Sequence, residues 1–170
     1  RLLHFIQLVI FRALKKTSEE THMISKFYML STAFVCALLL SAQLASATSP
    51  VKVAIHVDED NVKTMNMALN NAKNISKYYT SKNQDVIIEI VTYGPGLHML
   101  RSDTSPVKDR ISTMALEYDN ITFSACLNTV QAMKQKLQKD VPLVNEAQVV
   151  DSGAVRLMEL QFDGYAYLRP

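Results

Sequence analysis

Asp85–Tyr93, with the sequence DVIIEIVTY, is the stretch that decides the fold. It is the most apolar candidate strand of the chain, and Gly94-Pro95-Gly96 ends it sharply. A near-continuous apolar run of this length is typical of a parallel strand whose sheet is covered on both faces. The stretch therefore predicts a central strand of a parallel sheet.

The segment before it has the pattern of a strand followed by a helix. Val51–Val57, VKVAIHV, alternates apolar and polar residues as a strand does. From Asn61 to Tyr79 apolar residues recur every three or four positions, which predicts a helix. Asp58-Glu59-Asp60 is expected to supply the cap and the acidic first turn of this helix.

The segment after it repeats this alternation. We expect strands at Ile121–Ala125, Ala147–Val150 and Tyr165–Leu168. Helices are expected from Ser105-Pro106 to Tyr118, at Asn128–Lys139, and from a cap at Asp151 or Ser152 to Phe162. A short helical turn is expected at Leu97–Leu100. Strands separated by helices form βαβ units. The prediction is an α/β fold, a three-layer α/β/α domain with a mostly parallel five-stranded sheet.

The N-terminal region has the pattern of an export signal. Lys26 precedes an apolar run from Met29 to Leu40, and Ala45-Ser46-Ala47 fits a signal peptidase site. We predict a signal peptide at 23–47, cleavage after Ala47, and a periplasmic or secreted domain at 48–170 with no membrane contact after cleavage. Residues 1–22 are interpreted as an upstream extension outside the fold. The alternative is an uncleaved anchor over Phe27–Ala47.

The charge distribution argues against nucleic-acid binding. Five of the 18 basic and two of the 16 acidic residues precede residue 48, which leaves 13 and 14 in the predicted domain. A near-neutral domain lacks the basic surface that binds phosphate backbones.

Three strand ends carry the candidate site. Ligands of parallel sheets bind at the carboxyl ends of the strands. These ends carry the candidate ligand-binding residues His56, Tyr93, Gly94, Gly96 and Asn128, and they also carry Cys126. The sequence therefore predicts one shared rim.

Cys126 is the sharpest candidate for chemistry, because it is the only cysteine left once the predicted signal peptide, with Cys36, is removed. A thiol at a helix N-terminus has a lowered pKa, and its thiolate can hold sulfane sulfur as a persulfide. The alternative is a cysteine that simply packs in the core.

The two histidines have competing interpretations. His98 follows the glycine turn and could tune the thiol, or it could be a solvent-facing loop residue. His56 could serve the site, or it could be a half-buried strand residue with satisfied hydrogen bonds. A zinc site of Cys126, His56 and His98 has no close ligand pair to support it. Gly94-Pro95-Gly96 lacks the pattern of a phosphate loop. No cofactor or metal is predicted.

Five segments together resemble the DsrE/DsrF-like family. They are ALNNAKNI at Ala68–Ile75, VTYGPGLHML at Val91–Leu100, SPVKDRI at Ser105–Ile111, ITFSAC with LNTVQAMK at Ile121–Lys134, and GYAYLRP at Gly164–Pro170. The resemblance implies a three-layer fold with a five-stranded parallel sheet and frequent oligomers. In sulfur-relay members a cysteine after the third strand carries persulfide sulfur between proteins, and Cys126 matches that position. An exported chain would differ from those cytoplasmic members.

Two function classes follow. The first is a persulfide carrier or sulfurtransferase-type protein, whose partner is a sulfur donor or acceptor protein. This function predicts that Cys126 is a thiolate in an open pocket. The second is a non-catalytic, oligomeric module that binds a ligand or a partner, which predicts a sealed and unreactive Cys126.

Overall fold

One parallel sheet organises residues 49–170, the part of the chain that the computed structural model describes. Its strands are β1 (Val51–Val57), β2 (Val86–Thr92), β3 (Ile121–Cys126), β4 (Ala147–Val150) and β5 (Ala166–Leu168). Their order across the sheet is β4-β3-β2-β1-β5, and all four pairings are parallel. The predicted extension, signal peptide and cleavage site lie outside the described residues.

Four α-helices and one 3₁₀ helix cover the sheet. They are α1 (Val62–Thr80), the 3₁₀ helix (Gly94–Leu100), α2 (Lys108–Glu117), α3 (Leu127–Leu137) and α4 (Gly153–Phe162). The layers confirm the predicted α/β fold with a central five-stranded sheet. Among the described residues, no helix is long and apolar enough to cross a membrane.

The two faces of the sheet are covered unequally. The larger core includes Ile55, Ile90 and Phe123 on one face, against side chains of α1, α2 and the 3₁₀ helix, with α3 packed at its border. The second core is small, and there Leu157 and Leu160 of α4 cover Ala54 and Val91. Right-handed crossovers explain this difference. The connections from β1 to β2, β3 and β4 run in one direction across the sheet, so their helices lie on one face. The connection from β4 to β5 runs back, so α4 lies on the other face.

Two predicted helix starts are wrong in detail. Asn61, and not Asp58-Glu59-Asp60, caps α1, and its side chain accepts hydrogen bonds from the amides of Lys63 and Thr64. The helix predicted from Ser105-Pro106 begins at Lys108. The Ser105 hydroxyl donates to the Met99 carbonyl at 2.5 Å, which holds this segment in a turn.

The register brings the predicted strand ends to one rim. His56 pairs with Val91, and Val91 pairs with Ser124. Gly96 lets the 3₁₀ helix pass directly over the end of β1, since a Cβ there would lie 2.2 Å from the Val57 carbonyl oxygen. The 3₁₀ helix is thereby fixed beside the rim.

Candidate functional site

Cys126 lies where β3 becomes α3. It is the last residue of the strand and the N-cap residue of the helix. Only 4% of its surface is exposed. The position matches the predicted rim, but the thiol is covered, so the open pocket expected of a sulfur carrier is not present among residues 49–170.

The surroundings of the sulfur favour its anionic form. Burial alone would raise the pKa of the Cys126 thiol. Hydrogen bonding from the Thr129 hydroxyl and from the backbone amides of Gly153, Thr129 and Asn128 outweighs burial and lowers the pKa below its ordinary value. The contacts of the sulfur with the amides of α3 fall short of a capping hydrogen bond, and the Asn128 amide donates to the Asp151 carbonyl at 3.3 Å. The Thr129 hydroxyl is therefore the main donor.

Thr129 is oriented by the glycine turn after β2. The Gly94 amide donates to the Thr129 hydroxyl oxygen at 3.0 Å, and Gly94 adopts a φ of +52° to do so. Because the oxygen accepts this bond, its single hydrogen is left for the sulfur. Gly94, predicted as a ligand-binding residue, is thus seen here to orient Thr129 through its amide.

Gly153 brings a second helix N-terminus to the thiol. It is the first residue of α4, and a Cβ at this position would lie 3.2 Å from the Cys126 Cβ and 2.9 Å from two carbons of Tyr93. Only glycine allows this approach without displacement of a neighbour. Cys126 therefore faces the amino ends of α3 and α4, both of which stabilise negative charge.

Tyr93 and His56 continue the rim away from Cys126. Their rings stack with centroids 4.6 Å apart at 23°. Burial, followed by the nearby charges of Asp58 and Tyr167, raises the pKa of the Tyr93 phenol. Burial lowers the pKa of His56 more than Asp58 raises it. Near neutral pH, therefore, Tyr93 keeps its proton and His56 is uncharged.

His56 differs from the half-buried, satisfied residue that was the alternative prediction. It is 4% exposed, and its Nδ1 lies 2.7 Å from the Tyr167 hydroxyl. Its Nε2 is buried and has no hydrogen-bond partner among the described residues. The nearest acidic atom, Oδ2 of Asp58, is 3.9 Å away, and Arg169 holds both oxygens of that carboxylate.

His98 lies in the 3₁₀ helix, where two hydrogen bonds hold its ring. Its Nδ1 lies 2.6 Å from an Asp60 oxygen, and its Nε2 lies 2.9 Å from the Thr104 carbonyl. Both ring nitrogens are thus occupied, and neither bonds the Cys126 sulfur. No group of three or more His, Cys, Asp or Glu side chains in residues 49–170 is arranged to hold a metal ion.

A buried ion pair positions α4 over the sheet. Glu89, in the middle of β2, is 3% exposed and receives two hydrogen bonds from Arg156 of α4, at 2.8 and 2.7 Å. The Ser124 hydroxyl donates to the same carboxylate at 2.6 Å. Since Gly153 lies one helical turn before Arg156, this pair also fixes the amide that faces Cys126.

Sequence reasoning missed Thr129, Gly153 and Tyr167. Thr129 could have been found from the sequence, because it lies three residues after a cysteine at a helix start. The third residue of a helix, N3, faces the residue that caps it. Gly153 carried a weaker signal, the cap-and-glycine pair Ser152-Gly153 at the start of the crossover helix. Nothing local distinguishes Tyr167, because its contact with His56 depends on the pairing of the last strand with the first.

Comparisons with known proteins agree with this architecture. The model of the DsrE/DsrF-like family matches residues 51–170. A solved structure of a protein of unknown function, MTH1491 from Methanobacterium thermoautotrophicum, is 30% identical with a TM-score of 0.60, over 71% of this chain and 99% of that one. No curated protein matches the chain. With nearly the whole described region matched, the chain belongs to the DsrE/DsrF-like family.

Proposed function

We propose that this protein carries sulfane sulfur as a persulfide on Cys126. The observation that supports it best is the convergence of a hydroxyl and amides from two helix starts on one thiol, whose pKa is lowered despite burial. A structural cysteine in an apolar core would have a raised pKa. The resemblance to sulfur-relay members of the family, in which a cysteine at this position carries persulfide, supports the same role.

The chemistry needs no cofactor and no external oxidant. The Cys126 thiolate attacks the outer sulfur of a donor persulfide, R–S–SH, so that a Cys126 S–S bond forms and the donor S–S bond breaks. The donor leaves as the thiolate R–S⁻, and the proton stays on the transferred sulfur. An acceptor thiolate then attacks that outer sulfur and regenerates the Cys126 thiolate. Each step is a thiol exchange that balances atoms and electrons.

Access to the sulfur follows from the geometry of the persulfide. An S–S bond is about 2.05 Å long, so the outer sulfur would extend beyond the covered thiol. Gly153 packs beside both Cys126 and Tyr93, since a Cβ on Gly153 would lie 3.2 Å from the Cys126 Cβ and 2.9 Å from two carbons of Tyr93. Because only 4% of Cys126 is exposed, we expect the first attack on a donor to require a small displacement of a neighbouring side chain.

The test is an intact-mass measurement on the protein purified from bacterial cells that express the full chain. After incubation with cysteine persulfide, we expect the mass of residues 48–170 plus about 32 Da, removable by dithiothreitol. The Cys126→Ser protein should show no adduct. Failure of the wild-type protein to gain the adduct from several persulfide donors would contradict the proposal.

Export is the second part of the proposal. It is supported by the Lys26 region, the apolar run to Leu40 and the Ala45-Ser46-Ala47 site. The polypeptide mass in the same measurement reports it separately, because cleavage after Ala47 leaves Thr48 as the first residue. An uncleaved chain would contradict the signal-peptide interpretation and would leave the sulfur proposal intact.

The low exposure of Cys126 favours a second candidate, a non-catalytic module that binds a ligand or a partner and in which Cys126 only packs. On this alternative the Cys126→Ser protein would keep its biological activity, and the wild-type thiol would resist alkylation.

In either case we propose that the protein self-associates. The apolar residues exposed on α4 support this, as does the frequency of oligomers in the family.

A further inference from the structure

The unpaired nitrogen of His56 is a second feature of the rim, distinct from the thiol. A neutral imidazole carries one N–H, and the Tyr167 hydroxyl lies 2.7 Å from Nδ1. If Nε2 carries the hydrogen, its N–H is attracted to the Asp58 carboxylate. If Nε2 carries none, two hydrogen-bond acceptors face and repel each other. The Tyr167 hydroxyl therefore donates to Nδ1, and Nε2 carries the hydrogen.

This N–H is a buried donor without an acceptor. Among residues 49–170 no atom accepts from it, and Asp58 Oδ2 at 3.9 Å is too far for a hydrogen bond. A buried unpaired donor costs about 1–3 kcal/mol. Such a cost is typical of a position that a polar atom of another molecule completes.

The groups around this nitrogen form a small polar cluster. It consists of His56, Asp58, Tyr93, Tyr167 and Arg169. Arg169 neutralises Asp58 through two hydrogen bonds at 3.1 and 3.0 Å, and it also lies 3.5 Å from Glu59. Tyr167 and Arg169 are exposed, whereas Nε2 of His56 is buried, so a ligand reaches this nitrogen only when a neighbouring side chain moves. An N–H donor beside a carboxylate acceptor matches a peptide group, which offers a carbonyl and an N–H together.

The cluster lies at a defined distance from Cys126. His56 pairs with Val91 and Val91 with Ser124, so Cys126 is two strands across and two residues further along. Strand spacing and rise then separate the two Cα atoms by about 12 Å. Tyr93 fills the interval, because it stacks on His56 at one side and adjoins Gly153 and Cys126 at the other. An extended peptide of three residues spans about 10 Å.

We propose that His56, Asp58 and Tyr93 bind the peptide portion of a small thiol of two or three residues, whose sulfur reaches Cys126. His56 Nε2–H donates to a carbonyl oxygen, Asp58 accepts from an N–H, and the Tyr93 ring supports the chain between them. This inference rests on the proposed function, since it names the class of molecule that takes sulfur from the persulfide.

The kinetic test compares two acceptors of different length. Cys126 persulfide is mixed with glutathione, a tripeptide thiol, or with 2-mercaptoethanol, which reaches the sulfur but not His56. In the His56→Phe protein, which keeps an aromatic ring against Tyr93, we expect KM for glutathione to rise roughly tenfold through loss of one hydrogen bond. The rate with 2-mercaptoethanol should change much less than the KM for glutathione. An equal effect on both acceptors, or no effect on either, would overturn the inference.

A binding measurement separates this inference from the proposed function. The Cys126→Ser protein, with His56 intact, is titrated with S-methylglutathione, and the imidazole ¹⁵N signals of His56 are followed by NMR. A saturable shift supports the peptide site even if no persulfide ever forms on the wild-type protein. Normal persulfide transfer to 2-mercaptoethanol without any shift, as expected if only water pairs with Nε2, would refute the site and leave the sulfur carrier standing.

Discussion

Thr129 controls the acidity of Cys126 more directly than any other side chain. Its hydroxyl accepts from the Gly94 amide and donates to the sulfur. A donor of this kind stabilises the thiolate and not the thiol, so it lowers the pKa. A small change at Thr129 should therefore alter reactivity without altering the fold.

We expect Thr129→Val to raise the pKa of Cys126. Hydrogen bonds to charged groups contribute about 1.5–3 kcal/mol, so alkylation by iodoacetamide at neutral pH should slow roughly tenfold. The pH profile of the alkylation rate measures this, and its midpoint should move to higher pH. Thr129→Ser keeps the hydroxyl and is the matched control. A valine variant with the wild-type profile would show that the amides alone set the thiol pKa.

At this scale the sequence indicated the candidate thiol but not all of its partners. The position of Cys126 could be predicted because it follows a strand and opens a helix, a purely local pattern. Gly153 could not be predicted, because a crossover that starts at the edge strand β4 brings it to the thiol. His56 was visible as a strand residue, yet its unpaired nitrogen depends on Tyr167 and Asp58 in space.

At the scale of elements, the position of α4 depends on one buried ion pair. Glu89 is 3% exposed and interrupts the most apolar strand, and Arg156 of α4 meets it through two hydrogen bonds. Burial of a charge is costly unless it is paired. The pair therefore specifies where the helix sits more than it adds to net stability.

We expect Arg156→Met to destabilise the protein by about 3 kcal/mol, because it leaves the Glu89 carboxylate buried without its cation. The double variant Glu89→Leu/Arg156→Met should recover most of that loss. Urea unfolding of the wild type, both single variants and the double variant measures the coupling. If the double variant is as unstable as Arg156→Met, the loss comes from packing and not from the unpaired charge.

Strand positions were predictable from the sequence, and helix starts were less so. Apolar runs located all five strands to within a residue at each end, since each run is bounded by polar or turn-forming residues. The capping residue of α1 was misassigned because Asp58, Asp60 and Asn61 all belong to the residue types that cap helices. Only the contacts of the Asn61 side chain with two amides decide between them.

At the scale of the whole domain, one face of the sheet is covered by a single helix. The outward side of α4 carries Val155, Met158 and Phe162, spaced three and four residues apart on one stripe. Phe162 is 84% exposed. Exposed apolar stripes of this kind are typical of contact surfaces. A second copy of the chain suits this one, because a two-fold axis can pair the same stripe with itself.

We expect Phe162→Glu to convert an oligomer into a monomer. The introduced carboxylates would have to lose water on association, and in a two-fold contact they would also repel each other. Light scattering after size-exclusion chromatography measures the mass in solution. Gln161→Glu adds the same charge beside the stripe and should leave the mass unchanged. A wild-type protein that is already monomeric at high concentration would contradict the proposed self-association.

The pairing of β5 with β1 has a consequence for how the protein matures. Tyr167 pairs with Ala54 and Leu168 with Ile55, so the N-terminal strand acquires its outer neighbour only when the final residues arrive. Contacts so distant along the chain form late in folding. During synthesis β1 would therefore keep an unpaired outer edge until β5 has been made. His56 of β1 would likewise obtain its Tyr167 partner only once β5 is in place.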